Sequence, residues 1–174
     1  MSVILQSSSG GSITLSEPAT ASNFTQTLPS ASGTVMVSGN QPAFSAYLAT
    51  TQSVSAGTWT KIQYNTENFD TNSNYDNSAY RFTPTVAGYY QVSASGALDG
   101  NATYLYLAIY KNGSAVVVSP YAAVGGVGGV AVGLIYLNGS TDYVEGYALK
   151  DGLASLTGGA SGYTLFQGVL VRAA

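Results

Sequence analysis

The most informative segment of the chain is residues 64–94, which read YNTENFDTNSNYDNSAYRFTPTVAGYYQVSA. Five, four, six, five and one residues separate its six marker positions, which are Tyr64, Asp70, Tyr75, Phe82, Gly88 and Tyr90. Turn-forming Asn, Asp and Ser residues dominate the first half of the segment. A strand entered from Pro84 and Gly88 is predicted over Tyr89–Leu98, so the segment combines a turn-rich connection with a long strand.

A second strand is predicted over Tyr104–Tyr110, which reads YLYLAIY. Because side chains alternate along a strand, Leu105, Leu107 and Ile109 share one face and the tyrosines share the other. The strand runs into Asn112-Gly113, and Asn-Gly is the strongest short-range signal for a β-hairpin.

Three more strands are predicted from alternating or continuous apolar runs. They are Val130–Leu137, which is apolar on both faces and ends at Asn138-Gly139, Asp142–Leu149 and Tyr163–Arg172. Helical periodicity is hard to find, and the chain contains 21 glycines. We therefore predict an all-β fold over residues 43–174, a double-sheet jelly roll of about eight to ten antiparallel strands.

The spacing of the six markers resembles the signature of the C1q-like domain, a trimeric jelly roll related to tumour necrosis factor. Ala43–Ala46 is similar to the first strand of such domains, Lys111–Gly113 to their central hairpin and Ser161–Gly168 to their closing strand. The chain departs from the pattern at Tyr64 and Val92, where the family prefers Phe, and it has no Gly-X-Y stalk. The resemblance implies a C1q/TNF-like sandwich that forms a homotrimer, without a complement-like or adipokine-like role.

Self-association is also expected from the pattern of apolar residues. Several predicted strands are apolar on both faces, whereas a sandwich needs only one buried face per strand. Charged residues make up only 7% of the chain, so the simplest partner for the surplus surface is another copy. The alternative is a wet face rich in tyrosine. The predicted trimer-interface residues are Tyr104, Tyr106, Val130, Val132, Leu134 and Phe166.

Residues 1–42 form a predicted docking arm ahead of the jelly-roll domain. They are rich in Ser, Thr, Gly and Ala, and short strands are predicted over Ser12–Leu15 and Phe24–Leu28. A segment this small cannot bury a core alone. Gly10–Leu15 and Thr27–Thr34 resemble segments of tailed-bacteriophage fibre and decoration proteins, which implies docking on the capsid or on other virion proteins. The expected anchoring residues are Ile4, Leu5, Ile13, Leu15, Phe24 and Leu28.

Composition argues against most catalytic and binding classes. The chain has no Cys and no His, which rules out thiol nucleophiles, Ser–His and Cys–His dyads, and zinc sites of the ordinary type. Its five basic residues are scattered, so it lacks the electrostatic footprint of a nucleic-acid-binding protein. No stretch approaches the roughly 20 apolar residues that a membrane span needs. We expect no catalytic residue, no cofactor, no metal ion, no nucleic acid and no membrane insertion.

Three other chemistries match parts of the sequence. Asp70 and Asp76 could form the carboxylate pair of a glycosidase, or they could accept backbone hydrogen bonds in turns, which is the preferred interpretation. A calcium site is chemically apt at Asp70, Asn72, Asn74 and Asp76, although the helix context and terminal Glu of an EF-hand are missing. Gly126–Ala131 imitates a dinucleotide fingerprint but has no following helix, so the match carries no weight.

Two functions follow from these patterns. The first is a non-enzymatic, homotrimeric structural protein on the virion surface of a tailed phage, which acts as capsid decoration, cement or head fibre. The alternative is the receptor-binding tip of a tail fibre that recognises a host surface glycan or protein through exposed loops at Tyr75 and Tyr121. The 14 tyrosines invite carbohydrate stacking, with Tyr80 as a further candidate, although core packing explains most such residues.

Overall fold

The computed structural model describes residues 3–16, 23, 25, 30, 41–100, 102–120, 122–123, 128–159 and 162–174. The chain divides into two units, residues 1–33 and 34–174. Across the described ranges there are sixteen strands and no helix, which confirms the all-β prediction. Accordingly, this part of the chain contains no helix that is long and apolar enough to cross a membrane.

The smaller unit contains a β-hairpin. β1 (Val3–Gln6) pairs antiparallel with β2 (Ser12–Leu15), which is one of the predicted strands; β1 was not predicted. The Ser7 amide donates a hydrogen bond to the Gly11 carbonyl at 2.7 Å, and Gly10 adopts the left-handed backbone of the turn, with φ of +88°. Every residue from position 4 to position 16 is exposed, so the hairpin has no core of its own along this stretch. The predicted strand Phe24–Leu28 lies outside the described residues except for position 25.

The larger unit contains fourteen strands among its described residues. They are β3 (Ala43–Tyr47), β4 (Gln52–Ser53), β5 (Thr60–Lys61), β6 (Thr66–Asp70), β7 (Tyr75–Asp76), β8 (Arg81–Phe82), β9 (Gly88–Asp99), β10 (Tyr104–Lys111), β11 (Ser114–Val118), β12 (Ala122–Ala123), β13 (Gly128–Leu137), β14 (Val144–Lys150), β15 (Ser155–Leu156) and β16 (Leu165–Ala173). Eight of them span five residues or more, namely β3, β6, β9, β10, β11, β13, β14 and β16. This number agrees with the predicted eight to ten strands.

Two antiparallel sheets stack to form a jelly roll. The first sheet has the order β13-β9-β16-β3-β6, and β15 and β4 continue it beside the end of β9. The second sheet has the order β11-β10-β14-β8-β7, with β12 paired to β10 and β5 paired to β14. Because β11 and β13 end their respective sheets on the same side, they form one edge of the sandwich, where Val117 packs against Gly133.

The core is built from the inward residues of both sheets. On β9 every second residue is buried, beginning with Tyr90, and on β10 the side chains of Leu105, Leu107 and Ile109 are buried as the alternation predicted. Aromatic rings fill the space between the sheets: Phe44 stacks on Phe82 with ring centroids 4.2 Å apart. Burial of such rings is the main source of stability in a sandwich of this size.

The predicted Asn-Gly hairpin is present between β10 and β11. Asn112 and Gly113 have φ of 51° and 79°, which is the left-handed pair that a two-residue hairpin loop requires. The side chain of Asn112 also joins this turn to the next connection, because its Nδ2 donates to Asp142 at 2.7 Å and its Oδ1 accepts from the Tyr143 amide at 3.0 Å.

Candidate self-association surface

The outer side of β13 carries exposed aliphatic side chains. Val130, Val132 and Leu134 are 50%, 48% and 63% exposed, whereas Ala131 and Ile135 on the opposite face of the strand are buried in the core. The strand is therefore apolar on both faces, as its sequence predicted. Since only the inner face contributes to the fold of one chain, the outer face is available for another contact.

The neighbouring strand β9 continues this face. Leu134 is in register with Gln91, and Tyr136 is in register with Tyr89. The rings of Tyr89 and Tyr136 meet edge to face, with centroids 5.4 Å apart. The outward residues of β9 are uncharged from Tyr89 to Ala97, and the charged residue Asp99 lies at the far end of the strand.

Three further strands extend the face away from β13. Val169 on β16 is in register with Gln91, and Phe69 on β6, which is 51% exposed, lies opposite Ser45 on β3. A shallow groove of about 450 Å³ lies here, bordered by Phe69, Gln91 and Val169. Gln167, which also lines the groove, is held within the chain, because its Nε2 donates a hydrogen bond of 3.0 Å to Ser45 Oγ.

The edge formed by β11 and β13 is also uncharged. Each strand pairs with a neighbour on one side only within the described residues, and neither contains a charged residue or a proline. Val116 and Val118 on β11 are about half exposed. Proteins normally protect such edges with charges, prolines or covering segments. We call the edge and the adjoining face together the edge–face surface, defined by Phe69, Tyr89, Val116, Val118, Val130, Val132, Leu134, Tyr136 and Val169.

The predicted trimer-interface residues fall in three different places. Val130, Val132 and Leu134 lie on the edge–face surface. Tyr104 and Tyr106 lie half-buried on the outer side of the second sheet, in edge-to-face contact. Phe166 is fully buried, 5.3 Å from the ring of Tyr64, so its side chain is unavailable to a second copy and we omit it from the interface.

The sequence analysis missed several residues of the edge–face surface, among them Phe69, Tyr89 and Val169. Tyr89 could have been found from the alternation of β9, in which Tyr90 and the residues two apart from it point inward. Phe69 and Val169 belong to strands whose neighbours are distant in sequence, so only the order of strands in the sheet brings them together.

The arm residues occupy an exposed hairpin. Ile4, Leu5, Ile13 and Leu15 are each more than half exposed. Leu5 is in register with Ile13, so these two side chains lie on the same face of the hairpin. Phe24 and Leu28 lie outside the described residues.

The two tyrosines predicted for ligand loops do not form an exposed site in the described structure. Tyr75 is 8% exposed, and its hydroxyl donates to the Tyr64 carbonyl at 2.8 Å. Burial raises the pKa of Tyr75 well above its usual value. Its ring packs in the core, so it is a structural residue instead of a ligand contact. Tyr121 lies outside the described residues, and Tyr80 is half-buried.

The carboxylates of the turn-rich segment hold turns. Asp70 accepts the amides of Asn72 at 3.2 Å and Tyr75 at 2.6 Å. Asp76 accepts the Ser78 hydroxyl and the amides of Ser78 and Ala79, and these hydrogen bonds lower its pKa to about 2. Within the described ranges there is no cluster of three metal-ligating acidic side chains. The arrangement matches the interpretation that these carboxylates accept backbone hydrogen bonds in turns.

Comparison with known proteins gives a likeness in structure alone. No protein-family model and no curated protein matches the chain. The globular domain of zebrafish complement 1qA is 18% identical with a TM-score of 0.53, over 76% of this chain and 99% of that one. Murine APRIL at pH 8.5 is 10% identical with a TM-score of 0.59, over 75% of this chain and 99% of that one. Eiger TNF from S. frugiperda is 8% identical with a TM-score of 0.56, over 77% of this chain and 93% of that one.

These likenesses agree with the two-sheet jelly-roll architecture described above. The identities are too low to transfer an activity or a ligand, so they bear on the fold. The larger unit of the chain has a jelly-roll fold like that of the C1q and TNF-type structures.

Proposed function

We propose that this chain is a non-enzymatic structural protein of a tailed-phage virion, which forms a homotrimer and docks through its N-terminal arm as capsid decoration, cement or head fibre. The edge–face surface carries the proposal. It combines a sheet edge that is uncharged and unpaired within the described residues with an exposed aliphatic face, and none of its defining residues is charged. A surface of this kind favours a lasting contact over permanent exposure to water.

The geometry of the surface favours a ring of copies. The edge of β11 and β13 and the outer face of the first sheet are different parts of one molecule, so an edge-on-face contact is heterologous, and such a contact forms a ring where its rotation closes. The C1q-like resemblance supports a threefold ring. The edge of a second copy would cover Phe69 and Val169 of the first copy. The outer face of the second copy would in turn be covered by the edge of the third.

The arm supports docking on a different partner. Its hairpin exposes Ile4, Leu5, Ile13 and Leu15, and a two-stranded hairpin is at best marginally stable alone. Burying each such side chain contributes roughly 1.5–3 kcal/mol before ordering costs. Three arms in one trimer would bind cooperatively through their high effective concentration. The assignment to a phage particle rests on the resemblance of Gly10–Leu15 and Thr27–Thr34 to virion proteins.

The experiment is deletion of residues 2–40 followed by a capsid-binding assay. Capsids that lack this protein are incubated with the full chain or the deletion variant, and bound protein is measured after sedimentation. We expect the deletion to abolish binding while the head remains trimeric in analytical ultracentrifugation. Undiminished binding by the deletion variant would refute docking through the arm, and failure of the full chain to bind would refute the virion role.

A further inference from the structure

The outer face of the second sheet differs chemically from the edge–face surface. It carries aromatic rings with polar tips together with an ion pair. Trp59 meets Tyr110 edge to face, with ring centroids 6.2 Å apart, and Tyr110 stacks on Tyr147 at 3.9 Å. All three rings are half-buried, and Trp59 is the single tryptophan of the chain. We call Trp59, Tyr110 and Tyr147 the aromatic platform.

Three strands position the platform. Tyr147 on β14 is in register with Ala108 on β10 and with Lys61 on β5, and Tyr110 is in register with Glu145. The rings of Tyr110 and Tyr147 therefore rest on a hydrogen-bonded ladder, and Trp59 lies in the connection directly before β5. Sites built on strands are held more precisely than sites on loops, which reduces the ordering cost of binding.

Hydrogen-bonding groups lie directly beside the rings. Lys61 Nζ is 2.5 Å from Glu145 Oε1, and the Tyr147 hydroxyl donates to Glu145 Oε2 at 3.4 Å. Glu145 is 6% exposed, whereas the Lys61 side chain is 29% exposed. Burial, and secondarily the charge of Glu145, raises the pKa of Tyr147 to about 12, so its hydroxyl remains a donor at neutral pH. The hydrogen-bonding groups of Lys61, Glu145 and Tyr147 therefore lie next to the apolar ring surface of the platform.

We propose that the aromatic platform binds a neutral carbohydrate. The apolar C–H face of a pyranose packs on the half-buried indole of Trp59, and its hydroxyls bond to the partly exposed ammonium of Lys61, which Glu145 holds in place. Indole and phenol rings suit this ligand because they combine a flat apolar surface with a polar tip. The site needs no second copy of the chain, so it is independent of the proposed trimer and of the arm.

The chemistry on this face favours a neutral sugar over other ligands. Lys61 and Glu145 neutralise each other, so the platform has no excess charge that would select an anion. An aliphatic partner such as a lipid chain would remove water from the partly exposed Lys61 ammonium without replacing the lost hydrogen bonds. A hydroxyl-rich ligand satisfies both the ring surface and the ion pair.

The test uses the full-length protein on an array of immobilised neutral oligosaccharides and acidic polysaccharides. We expect binding to neutral glycans, and titration of the strongest one should show about a tenfold or greater loss of affinity for Trp59→Ala. Glu145→Gln keeps the shape of the side chain and removes its charge, and it should weaken binding by a similar factor. Tyr104→Ala is the matched control, because Tyr104 is a half-buried ring on the same face outside the platform.

Each result of these measurements either supports or overturns the proposed carbohydrate site. Neutral-glycan binding that Trp59→Ala and Glu145→Gln weaken and Tyr104→Ala preserves supports the platform. Absence of binding, binding confined to acidic polysaccharides, or equal loss in all three variants would overturn it. Circular dichroism of every variant establishes that it is folded, and Glu145→Gln remains informative where Trp59→Ala fails to fold.

Discussion

At Gly168, the ring of Phe44 occupies the space that a side chain would need. A Cβ atom there would lie 2.6 Å from Phe44 Cε1 and 3.4 Å from the Gln91 carbonyl oxygen. The packing around this ring is dense, since Phe44 also stacks on Phe82 and meets Phe166 edge to face. The aromatic core can therefore pack closely only because residue 168 has no side chain.

Gly168→Ala should therefore destabilise the fold by about 1–3 kcal/mol, because the Phe44 ring must move out of a well-packed site. Gly129→Ala is the matched control: its Cβ would make an ordinary contact of 3.6 Å with Leu107 Cδ1. The free energy of unfolding is measured by denaturant titration at one fixed protein concentration. Equal stability of the Gly168→Ala variant and the parent would contradict this account of the core.

At the scale of elements, the sequence predicted the long strands and missed the short or polar ones. β9, β10, β13, β14 and β16 were predicted within a few residues because their side chains alternate or form apolar runs. β6 reads TENFD, which has no such pattern and was interpreted as loop-like; its place in the sheet comes from pairing with β3. The edge–face surface was harder to predict, because the exposed residues that lie beside Leu134 depend on which strands become neighbours in the sheet.

The edge strand β13 carries the prediction for self-association. Leu134→Asp places a charge at the most exposed aliphatic position of the strand, and desolvating an unpaired carboxylate opposes any apolar contact. We expect sedimentation equilibrium at micromolar concentration to give about three times 17.8 kDa for the parent and the monomer mass for this variant.

Leu153→Asp is the control for that experiment, since Leu153 is 99% exposed and lies outside the edge–face surface. It should retain the parental mass. A stable, well-folded monomer of the parent protein, or an unchanged mass for Leu134→Asp, would remove the basis for the proposed trimer.

At the scale of the whole molecule, the titratable groups predict a broad pH plateau of stability. The chain has no histidine. Asp76 has its pKa lowered to about 2 by hydrogen bonds, first from the Ser78 hydroxyl, so its contribution is present above its unfolded value and is lost as the pH falls towards 2. Tyr90 has its pKa raised to about 12 by burial, so its contribution is present below about pH 10 and is lost as the pH rises towards 12.

The free energy of unfolding should consequently stay nearly constant from about pH 5 to pH 9 and decline beyond each end. Denaturant titrations across this range, with tyrosinate absorbance followed on the alkaline side, provide the measurement. A steep change in stability between about pH 6 and pH 7 would be incompatible with this distribution of groups.

The absence of charge from the edge–face surface has a consequence for how copies of the chain would meet. Without electrostatic steering, association proceeds at the ordinary rate of about 10⁵–10⁶ M⁻¹s⁻¹ and hardly responds to ionic strength. A contact made of aliphatic groups instead weakens on cooling, because the hydrophobic effect loses strength in cold water. The proposed oligomer would therefore tolerate high and low salt alike, and cold would be the condition that loosens it.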